Sequence, residues 1–166
     1  MKLSGRRYLS SKERKIFLKQ ASLALNIELV QFYGEKPTVE EMSLKKNNKL
    51  YLINKVPTLI KTNEDIFLTL MAGVLLNRLP RVTVDMGAIP HICNGADIML
   101  PGIVSVNGNF NSGAIVVIAD EKYGKFIAVG KALISSDEIK SVKSGRIIKN
   151  IHFIGDDVWE FIKNMH

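Results

Sequence analysis

Only one of the chain's 166 residues is a cysteine. Cys93 alone can form no intramolecular disulfide, and zinc sites with several cysteine ligands are excluded. The three histidines lie far apart in the sequence, and none has a second ligand at metal-binding spacing. The sequence therefore predicts neither a metal site nor a cofactor.

Long hydrophobic runs are also missing. The longest, from Ile66 to Leu76, spans eleven residues and includes Thr69, whereas a membrane-spanning helix needs about 20 apolar residues. The N-terminal residues are basic and lack the continuous apolar segment of a secretory signal. Because 46% of the residues are apolar and 23% are charged, the chain can bury a core. We expect a cytoplasmic protein without a membrane partner.

The motifs of common catalytic sites are absent as well. No G-x-x-x-x-G-K-[ST] phosphate-binding loop occurs. Cys93, with His91 or His152 as its base, would be a candidate nucleophile, but a single cysteine in an apolar turn is more typical of packing. The adjacent acids Asp156 and Asp157 stand at a predicted turn, where capping and solvation account for them. The sequence gives no catalytic residue, and we expect a protein that is not an enzyme.

Positive charge is concentrated in the first half of the chain. Residues 1–79 hold 14 Lys and Arg against 7 Asp and Glu, whereas residues 80–166 hold 9 of each. A basic patch attracts polyanions by counterion release, and nucleic acid is the commonest such partner. A merely solubilising surface is the alternative. The candidate electrostatic contacts are Arg6, Arg7, Lys12, Arg14, Lys15, Lys45, Lys46 and Lys49.

The first half has the pattern of a mixed α/β domain. Ser10 and Glu13 have the spacing of a capping box, which predicts a helix over residues 11–26. The pair Asn47-Asn48, between two β-prone segments, predicts a hairpin turn. The other predicted elements are strands over residues 28–32, 39–44, 50–53 and 57–60, and an apolar helix over residues 66–79 that ends at Pro80.

After Pro80 the sequence changes to short apolar β segments punctuated by glycine. Five or six short strands with little helix are typical of a small β-barrel. We therefore expect an α+β protein in which an N-terminal α/β domain, residues 1–79, precedes a C-terminal small β-barrel, residues 80–166. The predicted strands are residues 81–85, 98–106, 114–119, 126–134 and 147–154, and short helices are predicted over residues 88–94, after Ser135 and after Asp156.

Three segments of the second half carry a specific pattern. They are VDMGAI at residues 84–89, NGADIMLPGI at residues 94–103 and AVGKA at residues 128–132. Together they resemble the PUA domain, a small RNA-binding pseudo-barrel found in pseudouridine synthases and archaeosine transglycosylases. The resemblance implies that residues 80–166 form a PUA domain.

The C-terminal residues resemble one branch of that family. ISSDEI at residues 134–139, KSGR at residues 143–146, KNIHF at residues 149–153, and then Asp156 and Val158-Trp159 are similar to the malignant-T-cell-amplified-sequence family, which is related to ligatin. Its members join a pre-PUA domain to a PUA domain. The resemblance covers residues 66–160 well and residues 1–65 in outline only, and it implies a stand-alone, archaeal member of the family.

The resemblance implies a role in translation. Eukaryotic members bind the small ribosomal subunit beside initiator or deacylated tRNA, and they act with density-regulated protein in reinitiation and subunit recycling. By resemblance, we expect a non-catalytic RNA-binding translation factor. Its implied partners are structured RNA (rRNA or tRNA), the small ribosomal subunit and an initiation-factor-like protein.

PUA domains bind RNA on the surface between the short helix, the loop after it and the next strand. Gly87 and Gly95 flank that helix and would allow positive φ or a close approach of RNA, although turn geometry alone could also require them. Asp97 would orient backbone amides, because a carboxylate repels phosphate. By resemblance, the RNA contacts are Gly87, Ala88, Asn94, Gly95, Ala96, Asp97 and Met99. Lys131, Arg81 and Arg146 are phosphate candidates, or else solvated charges, and Tyr123 and Phe110 are candidates for stacking on bases.

The uneven charge suggests a division of labour. The first domain would attach RNA electrostatically, and the barrel would recognise its local shape. Charge reversal within residues 1–19 should then weaken binding broadly and flatten its salt dependence, whereas a bulky residue at Gly95 should change which RNA is preferred. Two alternatives stay open: a detached RNA-binding subunit of a tRNA-modifying enzyme, and a protein-interaction adaptor that receives its partner on the helix over residues 66–79 or on an edge strand.

Overall fold

The computed structural model describes residues 4–165, which form a mixture of helices and mainly antiparallel sheets in two compact units. The division between the units falls between Gly73 and Val74. The cation Lys2, which belongs to the basic N-terminal stretch, lies outside the described residues. The combination of an N-terminal α/β unit and a C-terminal β unit confirms the predicted α+β fold class.

The first unit is built on a five-stranded sheet whose strands are antiparallel and follow chain order. A turn of 3-10 helix, Lys45–Asn47, joins the second and third strands, as the Asn47-Asn48 pair predicts. The elements are β1 (Ser4–Tyr8), α1 (Ser11–Leu25), α2 (Leu29–Tyr33), β2 (Val39–Ser43), β3 (Lys49–Ile53), β4 (Val56–Lys61) and β5 (Ile66–Leu68).

Helix α1 begins at the predicted capping box. The Ser10 hydroxyl accepts the Glu13 N–H, and the Glu13 carboxylate accepts the Ser10 N–H. One face of the helix is buried through Phe17, Leu18, Ala21 and Leu25, and the Phe17 ring stacks on Tyr51 of β3 with 3.8 Å between ring centroids. Each large apolar side chain buried in this way stabilises the fold by roughly 1.5–3 kcal/mol.

Two predicted elements of the first unit are wrong. Residues 28–32, predicted as a strand, lie largely in the short helix α2, Leu29–Tyr33. Residues 66–79, predicted as one apolar helix, instead form strand β5, Ile66–Leu68, and a 3-10 helix, Gly73–Arg78. The adaptor hypothesis, in so far as it needs a helix over residues 66–79 as a docking surface, therefore has no such element to rest on.

The second unit, predicted as a small β-barrel, is a six-stranded sheet curled into a half-barrel. The strand order is β7-β11-β10-β9-β6-β8; β6 and β9 are parallel and the other pairs are antiparallel. The elements are β6 (Arg81–Val84), α3 (Ile89–Ile92), β7 (Ile98–Met99), β8 (Ile103–Asn107), β9 (Ile115–Asp120), β10 (Phe126–Ala132), α4 (Ser136–Ile139), β11 (Arg146–Phe153) and α5 (Asp157–Lys163), with a 3-10 turn, Leu100–Gly102, between β7 and β8.

The curved sheet packs around a continuous apolar core. Its central strand β9 is buried along its whole length, and side chains from β6, β10 and β11 pack with it. Phe110, a sequence candidate for stacking on a base, is buried in this core, so the structure excludes it from the surface. No helix within residues 4–165 has the length and apolar character needed to cross a membrane.

Candidate nucleic-acid interface

The loop between α3 and β7 is held against β11 by Asp97. One carboxylate oxygen, Oδ1, accepts the backbone N–H of Asn150 at 2.8 Å. The other, Oδ2, accepts Nη1 of Arg146 at 3.0 Å. As the sequence argument expected, Asp97 orients a backbone amide. Since Arg146 is the ion-pair partner of Asp97, its guanidinium is not an isolated phosphate ligand.

Asn150 braces the same loop from below, and sequence reasoning did not find it. Its side-chain amide donates to the carbonyl oxygens of Ile92 at 3.0 Å and Ala96 at 2.9 Å. Asp97 and Asn150 thus tie both ends of residues 92–97 to one strand. Nothing local in the sequence marks Asn150, because its role depends on the position of β11 beside β7.

The braced loop presents small residues to solvent. Asn94, Gly95 and Ala96 are all exposed. Gly95 has φ +95°, so the position favours glycine for its backbone conformation, while a Cβ there would meet the ring of Phe153 at an ordinary 3.4 Å. Met99 on β7 is 49% exposed beside this loop and pairs in register with Arg146. Five of the ten candidates in the barrel thus lie close together: Asn94, Gly95, Ala96, Met99 and Arg146. A sixth candidate, Asp97, is half-buried next to them.

The other candidates in the barrel differ from this group. Gly87 is exposed and does not have positive φ, so of the two reasons given for a glycine there only the close approach of RNA stays a prediction. Ala88 is half-buried against the barrel core, where its N–H donates to the Asp85 carboxylate at 2.8 Å. Its methyl group lies 3.2 Å from the Cβ position of Gly102. Ala88 is thus a packing residue more than a surface residue.

Arg81 and Lys131 lie elsewhere on the sheet. Arg81 begins β6 and is half-buried, with its guanidinium 4.9 Å from the ring centroid of Phe126, so the arginine is engaged within the unit. Lys131 on β10 is opposite Lys149 on β11. This pair places two ammonium groups on neighbouring strands, and Lys149, which is exposed, is a cation that the sequence candidates omitted.

A cleft of about 500 Å³ opens beside the exposed loop. It is lined by Cys93 and Asn94 on one side and by Phe153 and residues 155–158 on the other. Burial raises the pKa of the Cys93 thiol, which makes the reactive thiolate scarce at neutral pH and agrees with a packing role. Within the described residues, no group of three His, Cys, Asp or Glu side chains could hold a metal ion.

Asp156, at the back of the cleft, has its carboxylate committed to the protein. It accepts the N–H groups of Trp159 at 2.7 Å and Phe153 at 3.1 Å, and it pairs with Nδ1 of the buried His152 at 2.8 Å. Burial would raise the pKa of Asp156, but the hydrogen bonds from His152 and the backbone outweigh it, and the pKa is lowered. Asp156 thus caps helix α5 as an ionised group, as the sequence argument expected of an acid at a turn.

In the first unit, three of the eight candidate cations pair with carboxylates. Arg6 donates to the buried Glu40 at 3.0 Å. Arg7 bonds Glu13 at 2.7 Å and lies 3.4 Å from Glu41, which also accepts Lys49 at 3.1 Å. These cations neutralise Glu40 and Glu41, which the sheet buries, and Glu13, which is exposed on α1, so their net contribution to a positive surface is small.

The remaining candidates keep the unit cationic. Lys12, Arg14 and Lys15 lie on α1, and Lys45 and Lys46 lie on the turn between β2 and β3. All but Arg14 are exposed, and none of the five forms an ion pair with another residue between 4 and 165. Exposed cations of this kind act on a polyanion through long-range attraction.

Comparison with known proteins identifies both units. The profile of the PUA domain matches residues 80–154, and that of a domain of unknown function, DUF1947, matches residues 5–79. An uncharacterized protein of Methanocaldococcus jannaschii is 35% identical over 164 residues, which cover 97% of this chain and 99% of that protein. The chain therefore belongs to the family of proteins that join a DUF1947 domain to a PUA domain, an RNA-binding module.

Eukaryotic relatives share part of this sequence. Translation machinery-associated protein 20 of Saccharomyces cerevisiae is 40% identical over 88 residues, 49% of each chain. Malignant T-cell-amplified sequence 2 of Homo sapiens is 36% identical over 84 residues, which span 49% of this chain and 46% of that protein. The match thus covers about half the length of these relatives. It confirms the resemblance to the malignant-T-cell-amplified-sequence family.

A solved structure has the same fold over nearly the whole chain. A hypothetical protein of Pyrococcus horikoshii superimposes with a TM-score of 0.81 and 33% identity, over 95% of this chain and 99% of that one. This full-length structural neighbour and the full-length sequence relative both come from archaea, which agrees with the expected archaeal character of the chain.

Proposed function

We propose that the chain is a non-catalytic RNA-binding factor of translation, active in the cytoplasm, which binds the small ribosomal subunit, tRNA or both. The observation that carries this proposal is the braced surface of the PUA domain, where Asn94, Gly95 and Ala96 leave backbone open to a ligand. The name of the Saccharomyces cerevisiae relative refers to the translation machinery and to no catalytic activity.

The proposal keeps two domains, with the boundary after residue 79. The profiles of the two families meet at that point, while the compact units divide six residues earlier, at Gly73. The first domain would supply attraction to phosphates through Lys12, Arg14, Lys15, Lys45 and Lys46. Its partners would be rRNA or tRNA, together with an initiation-factor-like protein.

The proposed recognition surface is the loop of residues 94–97 with Met99. Contacts from backbone and small side chains suit recognition of RNA shape and of unpaired bases, since they allow close approach. Gly95→Leu, which the sequence argument suggests as a test, would also strain the backbone at φ +95°. Ala96→Trp is a cleaner variant, because Ala96 is exposed and is not among the positive-φ residues.

Crosslinking in cells followed by sequencing of the bound RNA tests the function. We expect enrichment of small-subunit rRNA or tRNA with the natural sequence, and a changed set of bound RNAs with Ala96→Trp. A parallel affinity purification should recover small ribosomal subunits. Recovery of an RNA-modifying enzyme instead, or RNA recovery no higher than with an unrelated tagged protein, would contradict the proposal.

A further inference from the structure

The turn between β9 and β10 holds one aromatic ring in solvent. Tyr123 is 74% exposed, and the ammonium of the adjacent Lys122 lies 5.1 Å from its ring centroid. A ring this exposed adds little to the core of the barrel. Folding of the barrel therefore does not depend on this ring, which is free to contact a ligand.

The turn is rigid because Asp120 organises it. This residue is 4% exposed, and its carboxylate accepts the backbone N–H of Tyr123 and that of Lys125, the latter at 3.0 Å. These hydrogen bonds, led by that of Tyr123, lower the pKa of Asp120, so the carboxylate stays ionised and keeps its donors. Gly124 takes the positive φ of the turn, at +65°. Tyr123 is thus displayed on a fixed backbone.

The turn lies at the same end of the barrel as the braced loop and the cleft. Glu121 donates its N–H to the Val84 carbonyl at 3.0 Å, and its carboxylate accepts the Met86 N–H at 3.3 Å. These contacts fix the turn to the segment that enters α3. On the other side, β10 starts directly after the turn, and the Ile127 carbonyl accepts the N–H of Ile154, next to the cleft residues.

Charge at this end of the barrel is divided between the turn and the cleft. Lys122 and Lys125 are exposed on the turn, on either side of Tyr123. Inside the cleft stand the carboxylates of Asp156 and Asp157. Phosphate is therefore repelled from the cleft and attracted to the turn, while Asn94 and Asp157 could accept the amino groups of a base.

We propose that Tyr123 is a stacking platform for an unpaired RNA base, with Lys122 and Lys125 holding the adjoining phosphates. This inference rests on the proposed RNA-binding function and specifies it: the RNA that binds offers an unpaired base to the turn between β9 and β10. An aromatic ring between two cations provides both the stacking surface and the backbone charge that single strands need.

The test compares two fluorescent RNA hairpins that differ only in a four-nucleotide single-stranded 3′ extension. Fluorescence anisotropy with the full chain measures both affinities. Tyr123→Ala should weaken binding of the extended hairpin by roughly 5- to 100-fold and leave the blunt hairpin within twofold. Tyr123→Phe, which keeps the ring, should bind both like the natural sequence. Val104→Ala, which trims a side chain that is 52% exposed on β8, is the matched control.

The outcomes separate the two proposals. If the natural chain binds neither hairpin at low salt, the proposed function fails, and the inference falls with it. If the natural chain binds but Tyr123→Ala has no effect, or weakens both hairpins equally, the stacking role alone is overturned. Equal urea unfolding midpoints for the three variants and the natural chain verify that the changes do not act through folding.

Discussion

Gly130 is the position in the barrel where a side chain has least room. It lies on β10 at a break in the register with β11. A Cβ there would come within 2.3 Å of Cγ2 of Ile148 and 3.0 Å of the Lys149 carbonyl. Because Ile148 is fully buried, neither neighbour can withdraw without disturbing the core. The resemblance to the PUA domain included this glycine, and the structure gives it a steric reason.

Gly130→Ala should therefore destabilise the barrel through overpacking. We expect a loss of about 1–3 kcal/mol in the free energy of unfolding, measured by urea denaturation. Gly87→Ala is the matched control, since a Cβ at Gly87 would meet Asp85 at an ordinary 3.4 Å. Equal stability of the two variants would contradict the steric account.

The loop between α3 and β7 shows how one side chain stabilises a whole element. Asn150 on β11 donates to the Ile92 and Ala96 carbonyls from its single amide group, and the loop has no regular secondary structure of its own. Its conformation thus depends on contacts from a neighbouring strand. That dependence matters for function, because residues 94–97 form the proposed recognition surface.

Asn150→Ala should loosen this loop. Two carbonyl acceptors lose their donor, at an expected cost of about 1–2 kcal/mol in urea unfolding, and amide hydrogen exchange should rise at Asn94 and Gly95. Asn164→Ala removes one exposed side-chain hydrogen bond, to the Glu160 carbonyl at the end of α5, and should lower the free energy of unfolding by about 0.5 kcal/mol or less. Unchanged exchange in the loop of the Asn150 variant would refute the bracing role.

Some helices and strands could be predicted from the sequence and others could not, and the reasons are physical. The capping box at Ser10 is a local signal, and α1 begins where it predicts. The helix predicted over residues 66–79 rests mainly on an apolar run, and a continuous apolar run does not distinguish a strand from a buried helix. Tertiary contacts select the strand. The Thr69 N–H donates to the Thr58 carbonyl at 2.9 Å and the Thr69 hydroxyl donates to the Pro57 carbonyl at 2.8 Å, which extends the pairing of β5 with β4.

Helix α2 has a similar explanation. The Leu29 N–H donates to the Ser22 hydroxyl at 3.2 Å, and the Ile27 N–H donates to the Ser22 carbonyl at 3.1 Å. These contacts turn the chain back over α1 after the left-handed Asn26. β-propensity over residues 28–32 is outweighed by this contact with the preceding helix.

The candidate site was predictable only in part. The motif at residues 94–99 marked the exposed loop, but Asn150 and the turn of Asp120 depend on strand register, which no motif displays. Likewise, the basic stretch at residues 1–19 looked uniformly available. In the structure, Arg7 lies directly opposite Glu41 in the sheet, so part of the positive charge of this stretch is neutralised within the first unit.

Across the whole molecule, paired carboxylates make the stability of the fold depend on pH, the buried Glu40 and Glu41 more than the exposed Glu13. The Arg7 guanidinium lowers the pKa of Glu13 to about 2. Arg6 lowers the pKa of Glu40. Burial would raise the pKa of Glu41, but the hydrogen bonds from Tyr51 and Lys49 outweigh it and the pKa is lowered. Because the folded values lie below the ordinary value of 4.5, the unfolded chain binds more protons. The stabilisation is therefore present above about pH 5 and disappears as the pH falls through the folded values.

Thermal unfolding between pH 7 and pH 2.5 checks this linkage. We expect the unfolding temperature to fall steadily below about pH 5. Glu41→Gln, which cannot ionise at that position, should be less stable at pH 7 and should lose less stability on acidification. A variant whose pH profile runs parallel to that of the natural chain would show that Glu41 does not contribute.

The salt dependence of RNA binding tests the central claim most directly. The account predicts that Lys12→Glu/Lys15→Glu weakens binding and reduces the slope of log K against log salt concentration by about 2, because each lysine that neutralises a phosphate contributes about one to that slope. Lys140→Glu/Lys143→Glu, an equal change of charge on exposed lysines of the second unit, should leave the slope nearly unchanged. If both double variants and the natural chain have the same slope, the basic first domain does not attract RNA, and the account is wrong.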